Sequence, residues 1–207
     1  MQQIASGKER NYLFDNMKVL LTFFMVSAHY IRISGSFDVS SFGGFFYIIA
    51  FSFIMQGFLF VSGYFSKNVD KCRLGAAKNF LLPYVLLMPL MFVVRLGVFG
   101  DAEFDLLSPS HALWFLLVLF VYRFMIKDLA KVPGVLLLSA ALLLASGCFS
   151  SLGKELALGR ICSFLFFFML GYKMEWKHIE KIRSISKKWI LLLLAGLLVF
   201  SFLTAYT

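Results

Sequence analysis

Charge is scarce in this chain: Asp, Glu, Lys and Arg make up 15% of its 207 residues, where a soluble domain carries about 25%. Acidic residues are the rarer kind, 11 against 20 basic, which leaves a formal charge of +9. Cysteine is almost missing; Cys72, Cys148 and Cys162 form no CxxC and no metal-ligand spacing, so they support neither a redox nor a metal site. There is no polar–apolar alternation at period two, which excludes a membrane barrel. Internal repeats and low-complexity linkers are also lacking, and the nearest thing to a hinge is the Gly- and Ser-containing stretch 34–44. What is abundant is hydrophobicity, at 60% of residues with a mean hydropathy of +0.84.

Apolar stretches long enough to cross about 30 Å of hydrocarbon recur along the whole chain, so no separate soluble domain fits and residues 1–207 read as one membrane domain. The expected fold is all-α, a polytopic membrane helix bundle of about seven transmembrane helices. The spans fall near 17–34, 42–65, 79–99, 111–126, 132–150, 159–173 and 189–206. The fourth and sixth have charge-free cores of only 112–122 and 161–172, short of the roughly twenty residues a lipid-facing helix needs, and are expected inside the bundle. Val26-Ser27-Ala28 has the small residues of a signal-peptidase site, but the apolar region before it is short and the segment reads as a span.

The positive charge points to the membrane, with no nucleic acid as partner. With the N-terminus cytoplasmic, sixteen of the twenty basic residues lie inside and only Arg32, Arg95, Lys154 and Arg160 outside, where Asp101, Glu103 and Asp105 also fall. That is the positive-inside pattern, and it supports the topology independently of hydropathy. The basic run 173–188 reads as a topology determinant touching anionic lipid, with a phosphate-binding role as the lesser alternative. The expected location is the plasma or inner membrane, as a multi-pass protein.

The first span carries an anomaly. From Lys18 to His29 a helix turns about 20° past three full turns, so the two side chains leave one face about 16 Å apart. Asp15 and Thr22 fall close to the same line, making a polar row on an apolar helix. Ionisable groups at such depth persist mainly where they face a wet cavity or a partner. Two readings stand. In one, Asp15 and Lys18 mark the membrane boundary, with Lys18 snorkelling. In the other, the row lines an interior channel, and His29 shares its outer level with His111, which opens the fourth span, and Arg160, which opens the sixth. On the second span, Ser52, Gln56 and Gly63 share a face that Ser62 adjoins, and small residues there favour close helix packing.

Four blocks in order carry a family resemblance: RNYLFDNMKVLLTFFMVSAH, FLFVSGYFSK, KNFLLPY followed by HALWFLLVLF, and RICSFLFFFMLGY. Together they resemble the acyltransferase 3 family of membrane O-acyltransferases, in particular a branch similar to fucose 4-O-acetylases. The family's hallmark is an arginine, ten residues, then a histidine; here the count holds and Lys18 replaces the arginine. Lysine is a point charge without the bidentate fork, so it would hold a phosphate or carboxylate less directionally. Members of the family have more spans than are read here, so the resemblance implies a truncated or minimal member.

The resemblance implies an enzyme that moves an acetyl or other acyl group from acyl-CoA, usually acetyl-CoA, to a hydroxyl of a cell-envelope carbohydrate, with no metal. It implies His29 as general base, since an imidazole titrating near about 6.5 can accept the hydroxyl proton and return it to the thiol; an acyl-imidazole on His29 is the lesser version. Lys18 would attract the donor's phosphates, with Asp15 fixing it through an i, i+3 pair. Arg160 or His111 would stabilise the oxyanion or orient the sugar, help worth roughly 3 kcal/mol per well-placed donor. Phe58, Phe60, Phe115 and Phe168 read as packing before they read as walls of an acyl pocket. The rival readings are a non-catalytic transport or binding module built on the same domain, and an inactive fragment of it.

Overall fold

The computed structural model describes residues 12–33, 38, 41–100, 104, 113–148 and 157–206. Among these residues the chain is all-helical, with no strand. It divides into two compact units, Met1–Phe58 with Lys181–Thr207, and Leu59–Glu180.

In the first unit, α1 (Tyr12–Ile33) has Asp15 in its first turn and Arg32 in its last, each charge opposing the helix dipole end it sits on. Helix α2 (Phe42–Tyr64) begins at Ser41, whose Oγ accepts the Gly44 N–H at 3.0 Å and so satisfies one of the orphan donors of a helix start. The α1 face that packs consists of Phe14, Leu21 and Ala28, two turns apart. Ala28 lies in a buried cluster with Ala50 and Ile54 of α2, ringed by Phe24, Phe46 and Phe51. Gly57 leaves room for the Leu21 side chain, whose methyls would sit 2.9 Å from any Cβ placed there. The unit also holds α9 (Lys187–Tyr206).

The second unit begins with the last turns of α2. One uninterrupted helix then runs over Val69–Phe99: α3 (Val69–Ala76), a π-helical turn Ala77–Leu81, and α4 (Leu82–Phe99). Pro83 explains the wide turn. It has no N–H to offer the carbonyl four residues back, and its ring crowds that carbonyl, so the preceding turn opens. Leu82 N–H accordingly reaches the Ala77 carbonyl, five residues back. Asn68 Oδ1 accepts the Lys71 N–H at 3.0 Å and caps the start, and Gly100, at φ 70°, closes the end. The third span expected from 79 is therefore the apolar part of a helix beginning ten residues earlier. Lys71, Arg73 and Lys78 break the hydropathy without breaking the helix, because their long side chains have good helix propensity, and Asp70 sits in the first turn, where the helix dipole favours an acid.

Helices α5 (Trp114–Leu129), α6 (Val135–Cys148) and α7 (Leu158–Lys173) follow, then α8 (Trp176–Arg183). As the short fourth and sixth spans suggested, α5 and α7 form the centre of this unit. Val118, Tyr122 and Ile126 of α5 and Phe168 and Met169 of α7 are almost wholly buried, together with Leu59 of α2. Tyr122 O–H donates to the Ile161 carbonyl at 2.6 Å, which satisfies its one polar atom in the core. Ser146 and Ser163 join α6 to α7 at 2.7 Å. Helices α2 and α7 cross closely: a Cβ at Gly63 would lie 2.0 Å from the Phe168 carbonyl oxygen, and one at Gly171 2.0 Å from that of Phe60. The Ser-Gly pair of the second span is thus a packing device, and Phe60 and Phe168 belong to packed backbone.

Two of these helices, Phe42–Tyr64 and Val69–Phe99, are long and apolar enough to cross a membrane. The second is about 46 Å long, well over the hydrocarbon thickness, so its charged first turns can stand beyond the apolar layer.

Candidate functional site

The residues singled out on α1 lie in the first unit. Lys18 Nζ donates to Asp15 Oδ1 at 3.2 Å, the i, i+3 pair expected. Thr22 Oγ1 donates to the Lys18 carbonyl at 2.8 Å, so its hydroxyl is used inside its own helix and adds little to the polar row. His29 is exposed, lies beside the Phe51 ring at 5.5 Å, and has Nδ1 2.8 Å from the Met25 carbonyl oxygen.

That last contact assigns a tautomer. A carbonyl oxygen can only accept, so Nδ1 carries the hydrogen, and in the neutral ring Nε2 holds the free lone pair. The backbone four residues earlier thereby does for His29 what a carboxylate does for many catalytic histidines: it fixes the ring and leaves one basic nitrogen outward. Around the helix, Lys18 and His29 stand about 60 to 100° from Leu21 and Ala28. The row therefore borders the face packed on α2, neither buried in it nor opposite to it.

Arg160 belongs to the second unit, at the start of α7. Its guanidinium lies over the Trp114 ring at 4.5 Å, and Trp114 in turn stacks on Phe164 at 5.6 Å. This contact ties the first turns of α5 and α7 together and gives Arg160 an anchoring role whatever else it does. His111 lies outside the described residues. Asp15, Lys18 and His29 are thus brought into one row within the first unit, and Arg160 is held by its neighbours in the second.

The opposite end of the second unit holds polar groups whose roles were not read from the sequence. Lys67 Nζ donates to the Tyr172 carbonyl and, at 2.7 Å, to that of Met174, capping the carbonyls at the end of α7. Burial lowers the Lys67 ammonium below its ordinary 10.5, while the Glu175 carboxylate pulls it back. Nearby, a cleft of about 370 Å³ is lined by Phe65, Asn68, Lys71, Cys72, Asn79 and Arg123. In the sequence these basic residues read only as topology signals. Their spacing in sequence, across 65–79 and then 123, carries no motif that would gather them.

A family model described as an acyltransferase domain covers residues 11–207. No curated protein and no solved structure matches the chain.

Proposed function

The chain belongs to the acyltransferase 3 family, and from that premise we propose that it transfers an acetyl or other acyl group from acyl-CoA to a hydroxyl of a cell-envelope carbohydrate. Membership of a membrane acyltransferase family and two helices able to cross a bilayer support its place in a membrane. The fuller topology proposed is seven crossings with the N-terminus cytoplasmic, in the plasma or inner membrane, and the branch proposed is the one similar to fucose 4-O-acetylases.

The observation that carries the mechanism is the hydrogen bond from His29 Nδ1 to the Met25 carbonyl. His29 Nε2 takes the acceptor hydroxyl's proton as the hydroxyl oxygen bonds to the thioester carbonyl carbon. The C–S bond then breaks, and the imidazolium returns the proton to the departing thiolate, leaving an ester and free CoA thiol. Lys18, steadied by Asp15, supplies positive charge for the donor's phosphates. Arg160 or His111 would stabilise the oxyanion or orient the sugar.

Membranes containing the protein and labelled acetyl-CoA should pass label to envelope carbohydrate. His29→Ala should cut the rate by about 10² to 10⁴-fold without changing the amount of folded protein. Label transfer that survives in His29→Ala would remove His29 from the chemistry. Uptake of carbohydrate with no label transfer, equal in both proteins, would replace the reading by transport.

A further inference from the structure

The cleft in the second unit is left with an unbalanced charge. At this end of the unit Arg73 is paired with Asp128 at 3.1 Å and Lys127 with Asp70 at 2.7 Å. Lys67 is taken up by the carbonyls of Tyr172 and Met174. The two cations that line the cleft are Lys71 and Arg123, neither in a salt bridge with a described residue, and none of its described lining residues is a carboxylate.

Arg123 is held but not satisfied. Its guanidinium lies 5.2 Å over the Phe80 ring, and Nη2 donates to Ser62 Oγ at a long 3.4 Å. Its Nε is buried and has no hydrogen-bond partner among the described residues. Leaving a charged donor buried and unmatched is costly, and an acceptor from outside the chain would relieve it. Asn68 adds a second kind of group. Its Oδ1 is occupied by the Lys71 N–H, so what its carboxamide has left to offer is its NH₂. Asn79 stands in the π-helical turn, where the widened backbone sets its side chain at the cleft; such turns recur at functional sites.

Two cations, two carboxamides and no acid make a setting for a compact polyanion with several acceptor oxygens. We infer that this cleft binds a phosphate group. Arg123 would supply the directional, forked donor and exposed Lys71 the mobile point charge. The phosphate would come either from a coenzyme A-type ligand or from the headgroup of an anionic phospholipid; both present the same chemistry. The inference does not depend on His29 acting as a base, since binding needs no turnover.

The test is equilibrium binding to the purified full-length chain in neutral detergent, with the His29→Ala protein run beside it. The probes are coenzyme A, pantetheine as its phosphate-free counterpart, and phosphatidylglycerol against phosphatidylcholine in mixed micelles. Saturable binding of coenzyme A or of phosphatidylglycerol, weakened by salt, is expected, with no binding of pantetheine or phosphatidylcholine. Coenzyme A alone would name the donor as the source, and phosphatidylglycerol alone the lipid. Lys71→Gln, at an exposed position that leaves the fold intact, should weaken binding by about tenfold. Arg123→Gln should weaken it further, and Arg123→Lys, which keeps the charge against Phe80, should fall between. Absence of saturable binding by both phosphate probes, or an affinity unchanged by Lys71→Gln, would overturn the inference. Normal binding by His29→Ala protein that has lost transfer would separate this site from the chemical one.

Discussion

The crossing of α2 and α7 gives the sharpest test of how this fold is held. At Gly63 and at Gly171 a methyl group would meet a backbone carbonyl oxygen of the other helix at 2.0 Å, where an ordinary contact begins at 3.4 Å. Neither oxygen can swing aside, since each belongs to a helical turn. Gly63→Ala must therefore drive the helices apart by about 1.4 Å, the difference between those two distances. Leu59, Phe168 and Met169, each about fully buried at this contact, would then stand off their neighbours. A gap of 0.5–1 Å already forfeits about a quarter to a half of a dispersion well, and forced overpacking costs roughly 1–3 kcal/mol by itself. A loss of about 3–4 kcal/mol follows. For a chain of this size that corresponds to a melting midpoint lower by roughly 10 °C. Gly171→Ala should cost about as much, and the double variant less than the sum, because one separation serves both. Gly97→Ala is the control: nothing lies within 4 Å of its added Cβ, so it should be neutral or stabilise by up to about 1 kcal/mol. Midpoints measured by intrinsic fluorescence in detergent decide the matter. Equal midpoints for Gly63→Ala and Gly97→Ala would refute the close crossing.

Other outcomes follow from single contacts. Tyr122→Phe removes the hydrogen bond to the Ile161 carbonyl while keeping the ring on Phe168, and should cost about 1 kcal/mol in the same melting assay. Lys18→Ala should raise the KM for the acyl donor more than it lowers kcat, whereas Lys18→Arg, which restores a fork for phosphate, should keep or lower that KM; a KM unmoved by Lys18→Ala would remove Lys18 from donor binding. The Glu175 carboxyl is held below its ordinary 4.5, first by its hydrogen bond with Lys177 and then by that ammonium's charge. Its contribution to stability is therefore present above pH 4.5 and is lost as the pH falls through the lowered value. The melting midpoints of the parent and Glu175→Gln should differ slightly near neutrality and converge in acid; a gap that widens in acid would contradict that sign.

Composition and patterning together determined that the chain is helical and belongs in a membrane, because so apolar a chain can satisfy its backbone in lipid only within helices or a closed barrel, and the barrel's alternation is missing. Spacing alone aligned Asp15, Lys18 and His29, since a helix repeats every 3.6 residues wherever it sits. The order of the four quoted blocks likewise agreed with the family found over residues 11–207. Tertiary structure decided the rest. That Gly63 answers to Phe168 and Gly171 to Phe60 depends on which helices touch, and a hydrophobic helix face looks alike to every partner. The tautomer of His29 came from a carbonyl distance, and the start of the third long helix from a π turn ahead of Pro83 that hydropathy does not register. The cleft was hidden for the same reason: Lys71 and Arg123 are far apart in the chain, their charges read as a membrane-side bias, and only folding shows that their carboxylate neighbours are already spoken for.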